Sequence, residues 1–315
     1  MSPRITVPAV VTVREAAHRV LARQVRELRR QERPVAGAGT PDAIHDMRVA
    51  TRRLRAAQAV FRGVVALPKP ARRRRLRWLA RRLGRVRDLD VRLSLLTEHH
   101  LPHVAGQEAA RLARLVADLQ QERRREHRRL QRGFRRPRYR RMRIAFAAWV
   151  RKPAFAEGAG EEPAARFMAE AADRAAQRVS GHEAMHEHRP TAEALHDLRI
   201  AVKWLRYTLD FHAEACGLAY DAERALARDL QDCLGEMRDH DLLFAMLAAD
   251  GAGAWTQLSR RVAEGRQKLW RRFLELRRRW HARTRPAQTV APLEAPRFVN
   301  LEVTPVQLRL VADGR

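Results

Sequence analysis

Little in this chain points to a metal, a cofactor or a membrane. Cysteine occurs twice in 315 residues. Cys216 and Cys233 have neither metal-ligand nor redox spacing, which argues against a zinc site and fits free thiols in a reducing cytoplasm. No stretch approaches about 18 apolar residues, so no membrane span is expected. The run 5–13 is short, contains Pro8 and leads into Arg14-Glu15, which reads against a signal peptide. Aromatic residues are 6% of the chain, without the aromatic-basic interleaving that base stacking uses. Lysine is scarce as well: Lys69, Lys152, Lys203 and Lys268 are the only four among 64 basic residues.

Acid is what the first half lacks. Residues 1–150 hold 38 Lys/Arg against 12 Asp/Glu, a net of +26, whereas 151–315 hold 26 against 24, a net of +2. Lys69–Arg87 has ten basic residues and no acid; Arg123–Arg143 has twelve Arg with Glu126 alone against them. A third run, Arg260–Arg285, has eleven basic residues with Glu264 and Glu275. A solvated helix face normally mixes signs, because like charges one turn apart repel. Blocks this one-sided suit a polyanion partner.

The periodicity is helical throughout. It predicts helices over 14–32, 42–62, 71–100, 107–132, 138–150, 163–183, 191–216, 220–249 and 255–283. Breaks fall at Pro34–Gly39, Pro68–Pro70, Pro102, Pro137, Pro153–Pro163, Pro190 and Gly251–Gly253. Thr40 or Asp42, and Thr191, stand where N-caps belong. The Pro-containing tail 286–315 is either free or clamped onto the helices.

An internal repeat organises the rest. AIHDMRVA at 43–50 matches ALHDLRIA at 194–201, continuing through Arg52/Lys203, Leu54/Leu205 and Arg55/Arg206. LGRVRDLD at 83–90 matches LGEMRDHD at 234–241. Both pairs share an offset of 151. The expected fold is all-α: two four-helix-type bundles related by a pseudo-twofold duplication. The expected layout is an N-terminal extension 1–12, repeats 13–152 and 163–285, and a linker 153–162.

On a helix, with His45 at zero, Arg48 falls at about −60°, Arg52 at about −20° and Arg55 at about −80°, along roughly 15 Å of axis. Leu54, Met47 and Phe61 fall on the opposite side. One face therefore packs and another presents a ladder of cations. His196, Arg199, Lys203 and Arg206 repeat it. A pseudo-twofold brings the two ladders toward one cleft, a phosphate-chain site by charge and by the planar fork of arginine. Further cations for such an anion are Arg87, Arg128, Arg129, Arg271 and Arg272. Each His, one turn before an Arg, is placed to donate to a phosphate oxygen. Gly84 and Gly235 suggest close helix approach. Asp88, Asp90, Asp239 and Asp241 are placed to pair with the arginines and fix their rotamers. A metal held by Asp88, Asp90 and His45 is a poor fit, since residues two apart point about 200° from each other on a helix.

The stretches AIHDMRVATRRLRAA, LGRVRDLD, ALHDLRIAVKWLRYTLDF and LGEMRDHD resemble the CHAD family, the conserved histidine α-helical domain, over about residues 10–285. The resemblance implies two four-helix bundles about a pseudo-twofold axis and a basic cavity that binds inorganic polyphosphate. The family is often fused to a triphosphate-tunnel enzyme domain, of which no acidic-Lys strand signature is found here. Trp204 replaces Arg53 of the first repeat and Tyr207 replaces Ala56, so the second half is expected to contribute less to anion binding. No cofactor is implied, and no nucleophile-base pair suggests turnover. A cytoplasmic location, with polyphosphate granules, is expected. The competing readings are weak, non-specific nucleic-acid binding through phosphates and a metal-dependent phosphohydrolase prompted by His45-Asp46 and His196-Asp197.

Overall fold

The computed structural model describes residues 11–217, 220–249 and 255–283. Most of the expected N-terminal extension, the break at Gly251–Gly253, the last two residues of the second repeat and the tail 286–315 lie outside them. The described residues are all-helical and contain no strand; two isolated bridges, Thr12 with Pro163 and Val65 with Phe155, are the only β pairings among them. In chain order the α-helices are α1 Val13–Arg30, α2 Glu32–Ala36, α3 Pro41–Val60, α4 Arg73–Ser94, α5 Gly106–Phe134, α6 Pro137–Arg151, α7 Ala164–Ser180, α8 Ala192–Cys216, α9 Asp221–Ala249 and α10 Thr256–Arg283.

Capping sets where the helices begin. Thr40 Oγ1 accepts from the Ala43 amide at 3.3 Å, with Pro41 at N1. Thr191 Oγ1 accepts from Ala194 at 3.0 Å. Both satisfy an orphan donor of the first turn. α1 and α7 begin 151 residues apart, as do α3 and α8.

Two elements differ from the sequence reading. α2 is a separate short helix after the Gln31 turn. The segment read as one helix over 71–100 is a 3-10 turn at Lys69–Ala71, α4, and then a π-helical turn, Leu95–His100. At that wider turn Thr97 Oγ1 donates back to the Leu93 carbonyl at 2.8 Å, a local bond that competes with the α-helical ladder.

The two halves are not separate bundles. One apolar cluster joins α1, α3, α4 and α6 to Ala164 and Met168 of α7 and to Tyr207, Phe211 and Ala215 of α8. A second lies within α7–α10. A third joins the end of α4 and the π-helical turn, through Leu89 and Leu96, and the first half of α5, through Leu112 and Val116, to Leu243, Leu247, Leu258 and Val262 of α9 and α10. Apolar contact thus fastens the halves at two places. The expected linker is stitched to the first half: Val13 N donates to Glu162 O at 3.0 Å, Ala66 N to Ala154 O at 3.0 Å and Ala156 N to Val64 O at 2.9 Å.

Candidate anion site between α3 and α8

α3 and α8 are amphipathic in the sense that matters for the site. Ile44, Met47 and Leu54 are fully buried on α3, and Leu198, Val202 and Leu205 are buried on α8. Burying these stripes fixes the rotation of each helix, so the opposite arcs must carry the cations. α3 packs directly on α8: Arg53 Nη1 donates to Asp210 Oδ2 at 2.6 Å, its Nη2 lies 3.6 Å from Glu214, and its guanidinium stands 5.3 Å from the Phe211 ring centre.

The packing brings the ladders together. Burial pushes the Arg52 guanidinium down to about 10, and Arg48, Arg206 and Arg87 add to the effect, while Tyr207 opposes it. Burial also holds Lys203 well below the usual lysine range, with Arg199, Arg52 and Arg48 beside it and Asp239 opposing. Arg199 is lowered by burial; Asp239 and Asp88 counter this, and Arg52 and Arg238 add to it. His45 and His196 are lowered by burial first. Arg87, Arg52 and Arg48 add to this at His45, and Arg238, Arg199 and Lys203 at His196. The Nε atoms of Arg52, Arg199 and Arg206, and Nδ1 of His196, are buried with no hydrogen-bond partner in the structure. Buried donors are normally satisfied, and leaving one unpaired costs about 1–3 kcal/mol, more for a charged group. A cluster of such donors on cationic side chains has the donor chemistry that an anion requires.

Arg55 joins a neighbouring group. Burial pushes it down to about 10, with Arg73, Arg77 and Arg81 of α4 adding to the shift. Its Nε and that of Arg73 are likewise buried and unpartnered. The Arg73 guanidinium lies 5.8 Å from the Trp204 ring centre, so the residue that replaces Arg53 in the second repeat supports a cation here.

The carboxylates divide into two pairs. Asp88 lies 4.0 Å from Arg48. Asp239 is raised by burial and by nearby Asp88, although Arg199, His240 and Lys203 lower it. These two acids do stand beside the ladders. Asp90 and Asp241 do not orient them. Asp90 pairs with Arg123 of α5, whose Nη2 also donates to Gly39 O at 2.6 Å, and Asp241 accepts from Arg266 of α10 at 2.7 Å. The reason is the same 200° separation of residues two apart.

The glycines also differ from expectation. A Cβ on Gly84 would meet nothing within 4 Å, and one on Gly235 would meet only the Arg199 side chain, at 3.8 Å from Nε. Neither position is in close contact with a neighbouring helix backbone; Gly235 leaves room for the Arg199 side chain.

Four expected cations stay apart from the ladders. Arg128 is exposed on α5, about 140° around the helix from Arg123. Arg129 closes on Glu126. Arg271 is exposed, about 200° from Leu269 on α10, opposite the stripe that Phe273, Leu276 and Trp280 bury. Arg272 is exposed and sits 3.9 Å from Glu236. Each lies on a helix that buries a different side. Arg87 does join the site, and it also lines a cavity of about 580 Å³ with Arg123, Asp239, His99 and His240. The cations missed by the ladder reading are Arg73, Arg77 and Arg81, all in the dense run at 69–87, and Arg238 of α9, which stands beside Arg199 and His196. Among the described residues no group of three or more His, Cys, Asp or Glu is placed to hold a metal ion.

The CHAD domain family model matches residues 19–248. No curated protein matches. Two solved structures share the fold. One is the CHAD domain from the plant Ricinus communis, 24% identical, with a TM-score of 0.65, covering 89% of this chain and 95% of that one. The other is PptA from Streptomyces chartreusis, 16% identical, with a TM-score of 0.62, covering 86% and 98% respectively. With the family model spanning most of the helical region, this chain belongs to the CHAD domain family.

Proposed function

We propose that the chain binds inorganic polyphosphate, as a long linear polyanion, in the cleft between α3 and α8, and that it does so without turning the polymer over. The two halves are repeats related by a pseudo-twofold, supported by the shared offset of the motifs and of the starts of α1, α3, α7 and α8. The observation that carries the reading is the meeting of Arg48, Arg52, Arg199, Lys203 and Arg206 with buried guanidinium nitrogens left without partners. Two acids, Asp88 and Asp239, are too few to neutralise them. The cations run along two helices, so the complementary ligand is an extended chain of phosphates. The site residues are His45, Arg48, Arg52, Arg55, Arg87, His196, Arg199, Lys203 and Arg206, to which Arg73, Arg77, Arg81 and Arg238 are added.

Competition between long polyphosphate and duplex DNA, at two salt concentrations, tests the reading. Both ligands release counterions and weaken with salt. Polyphosphate is expected to win at both concentrations, because the cations converge from α3 and α8 as a linear phosphate chain requires, and the nearby Trp204 ring already faces the Arg73 guanidinium. DNA displacing polyphosphate at equal phosphate concentration contradicts the reading and favours a nucleic-acid binder.

A further inference from the structure

The basic track does not end at Arg55. Along α4, Arg73, Arg77, Arg81 and Arg85 stand four residues apart, a row that advances about 6 Å and turns about 40° per step. It begins beside the ladder, where Arg73, Arg77 and Arg81 surround Arg55. It leaves on the outer side of α4, where Arg85 lies 4.0 Å from Glu126. Arg81 belongs to both regions, since it also stands near exposed Arg138 of α6, together with Arg136, Arg75 and Arg82.

This outer region is short of acid and built to hold its cations outward. The buried Glu126 side chain is shared by Arg82 at 3.6 Å, by Arg85 and by Arg129. One carboxylate cannot neutralise three guanidiniums. Arg138 stacks 4.5 Å from the Trp78 ring centre. Trp78 in turn lies against Gly133, where a Cβ would collide with its ring. The first turn of α6 carries Arg138 and no acid, at the helix end whose dipole favours anions.

We infer that the outer face of α4, with the first turn of α6, is a second stretch of the same track. It takes the overhang of a linear phosphate chain whose other part lies between α3 and α8. The inference rests on the proposed function. Continuity through Arg81 favours one ligand spanning both regions over a separate partner on the outside.

The test compares two probes: a polyphosphate short enough to lie within the roughly 15 Å ladder, and one many times longer. The full chain carrying Arg75→Gln, Arg85→Gln, Arg136→Gln and Arg138→Gln is set beside a control carrying Arg166→Gln, Arg174→Gln, Arg271→Gln and Arg278→Gln. All eight residues are exposed. Long-chain affinity is expected to fall at least about tenfold in the first variant, with a salt slope smaller by about 3, from four lost contacts at roughly 0.7 each. Short-chain affinity stays within about twofold, and the control keeps its long-chain binding. Equal losses for both probes, equal losses in the control, or no loss at all overturns the inference. If the unaltered chain binds neither probe, it is the proposed function that has failed.

Discussion

Arg52 shows how a single residue ties function to a cost in the fold. It sits on a face where burial and five cationic neighbours, Arg48, Arg87, Arg199, Lys203 and Arg206, oppose its charge, so in the free protein it works against stability. Its folded pKa is below the unfolded one, and the penalty is present at every pH at which arginine stays charged. Arg52→Gln is therefore expected to raise the melting temperature slightly while weakening polyphosphate binding, measured by thermal melts and titration on the same samples. Leu54→Asp, two residues away, is expected to unfold the protein, because Leu54 is fully buried and an unpaired charge there costs several kcal/mol. The histidines give a pH signature. Free His45 and His196 are held below the usual histidine value by burial and neighbouring cations, so they are neutral at pH 7. A bound polyanion favours their charged form and raises both. Affinity should therefore increase as pH falls from 8 to 6, with proton uptake on binding. His45→Gln with His196→Gln should flatten that dependence; an unchanged slope in the double variant contradicts a role for either ring.

At the scale of elements, the π-helical turn after α4 is expected to be acid-sensitive through His100. His100 is 4% exposed, and both ring nitrogens are buried without partners. Burial pushes it down to about 4, with His240, Arg261, His99 and His103 adding to the effect. A depressed histidine contributes stability that is present above the unfolded value near 6.5 and is lost as pH falls toward 4. The loss at pH 5 is on the order of 2 kcal/mol. His100→Phe is expected to shrink the difference in melting temperature between pH 7 and pH 5; an unchanged difference places the sensitivity elsewhere. The helices themselves were largely legible in the sequence. Thr40 and Thr191 marked the two cap positions that register the ladders, and the 3.6-residue stripes of Leu76, Leu79 and Leu83 marked what is buried. The π turn was not legible, since it does not interrupt the apolar pattern, and α2 was not, since Pro34 and the glycines after it read as a break. The partners of Asp90 and Asp241 were not legible either, because Arg123 and Arg266 lie on α5 and α10 and reach them only through tertiary packing. For the same reason Arg128 and Arg271 could not be placed from composition: a dense run says how many cations a helix has, not which of them its buried stripe turns outward.

The whole molecule concentrates its charge unevenly, +26 in residues 1–150 against +2 in the remainder. The structure gives that imbalance a location, because the cations next to Arg55 all come from α4. Neutralising Arg48, Arg52 and Arg55 together is therefore expected to cost more affinity, and more of the salt slope, than neutralising Arg199, Lys203 and Arg206. Equal losses would show that convergence in the cleft matters and the imbalance does not. The two apolar clusters that fasten the halves hold the ladders at a fixed separation, so binding should stabilise the whole chain by mass action. The most direct measurement of the central claim is the titration of Arg52→Ala with Lys203→Ala against long polyphosphate, beside a thermal melt. Two lost charge-assisted contacts at about 1.5–3 kcal/mol each correspond to a loss of at least about a hundredfold, with the melting temperature unchanged or higher. Retained affinity, or lost affinity accompanied by a large fall in melting temperature, would contradict the assignment of these two buried cations to the binding site.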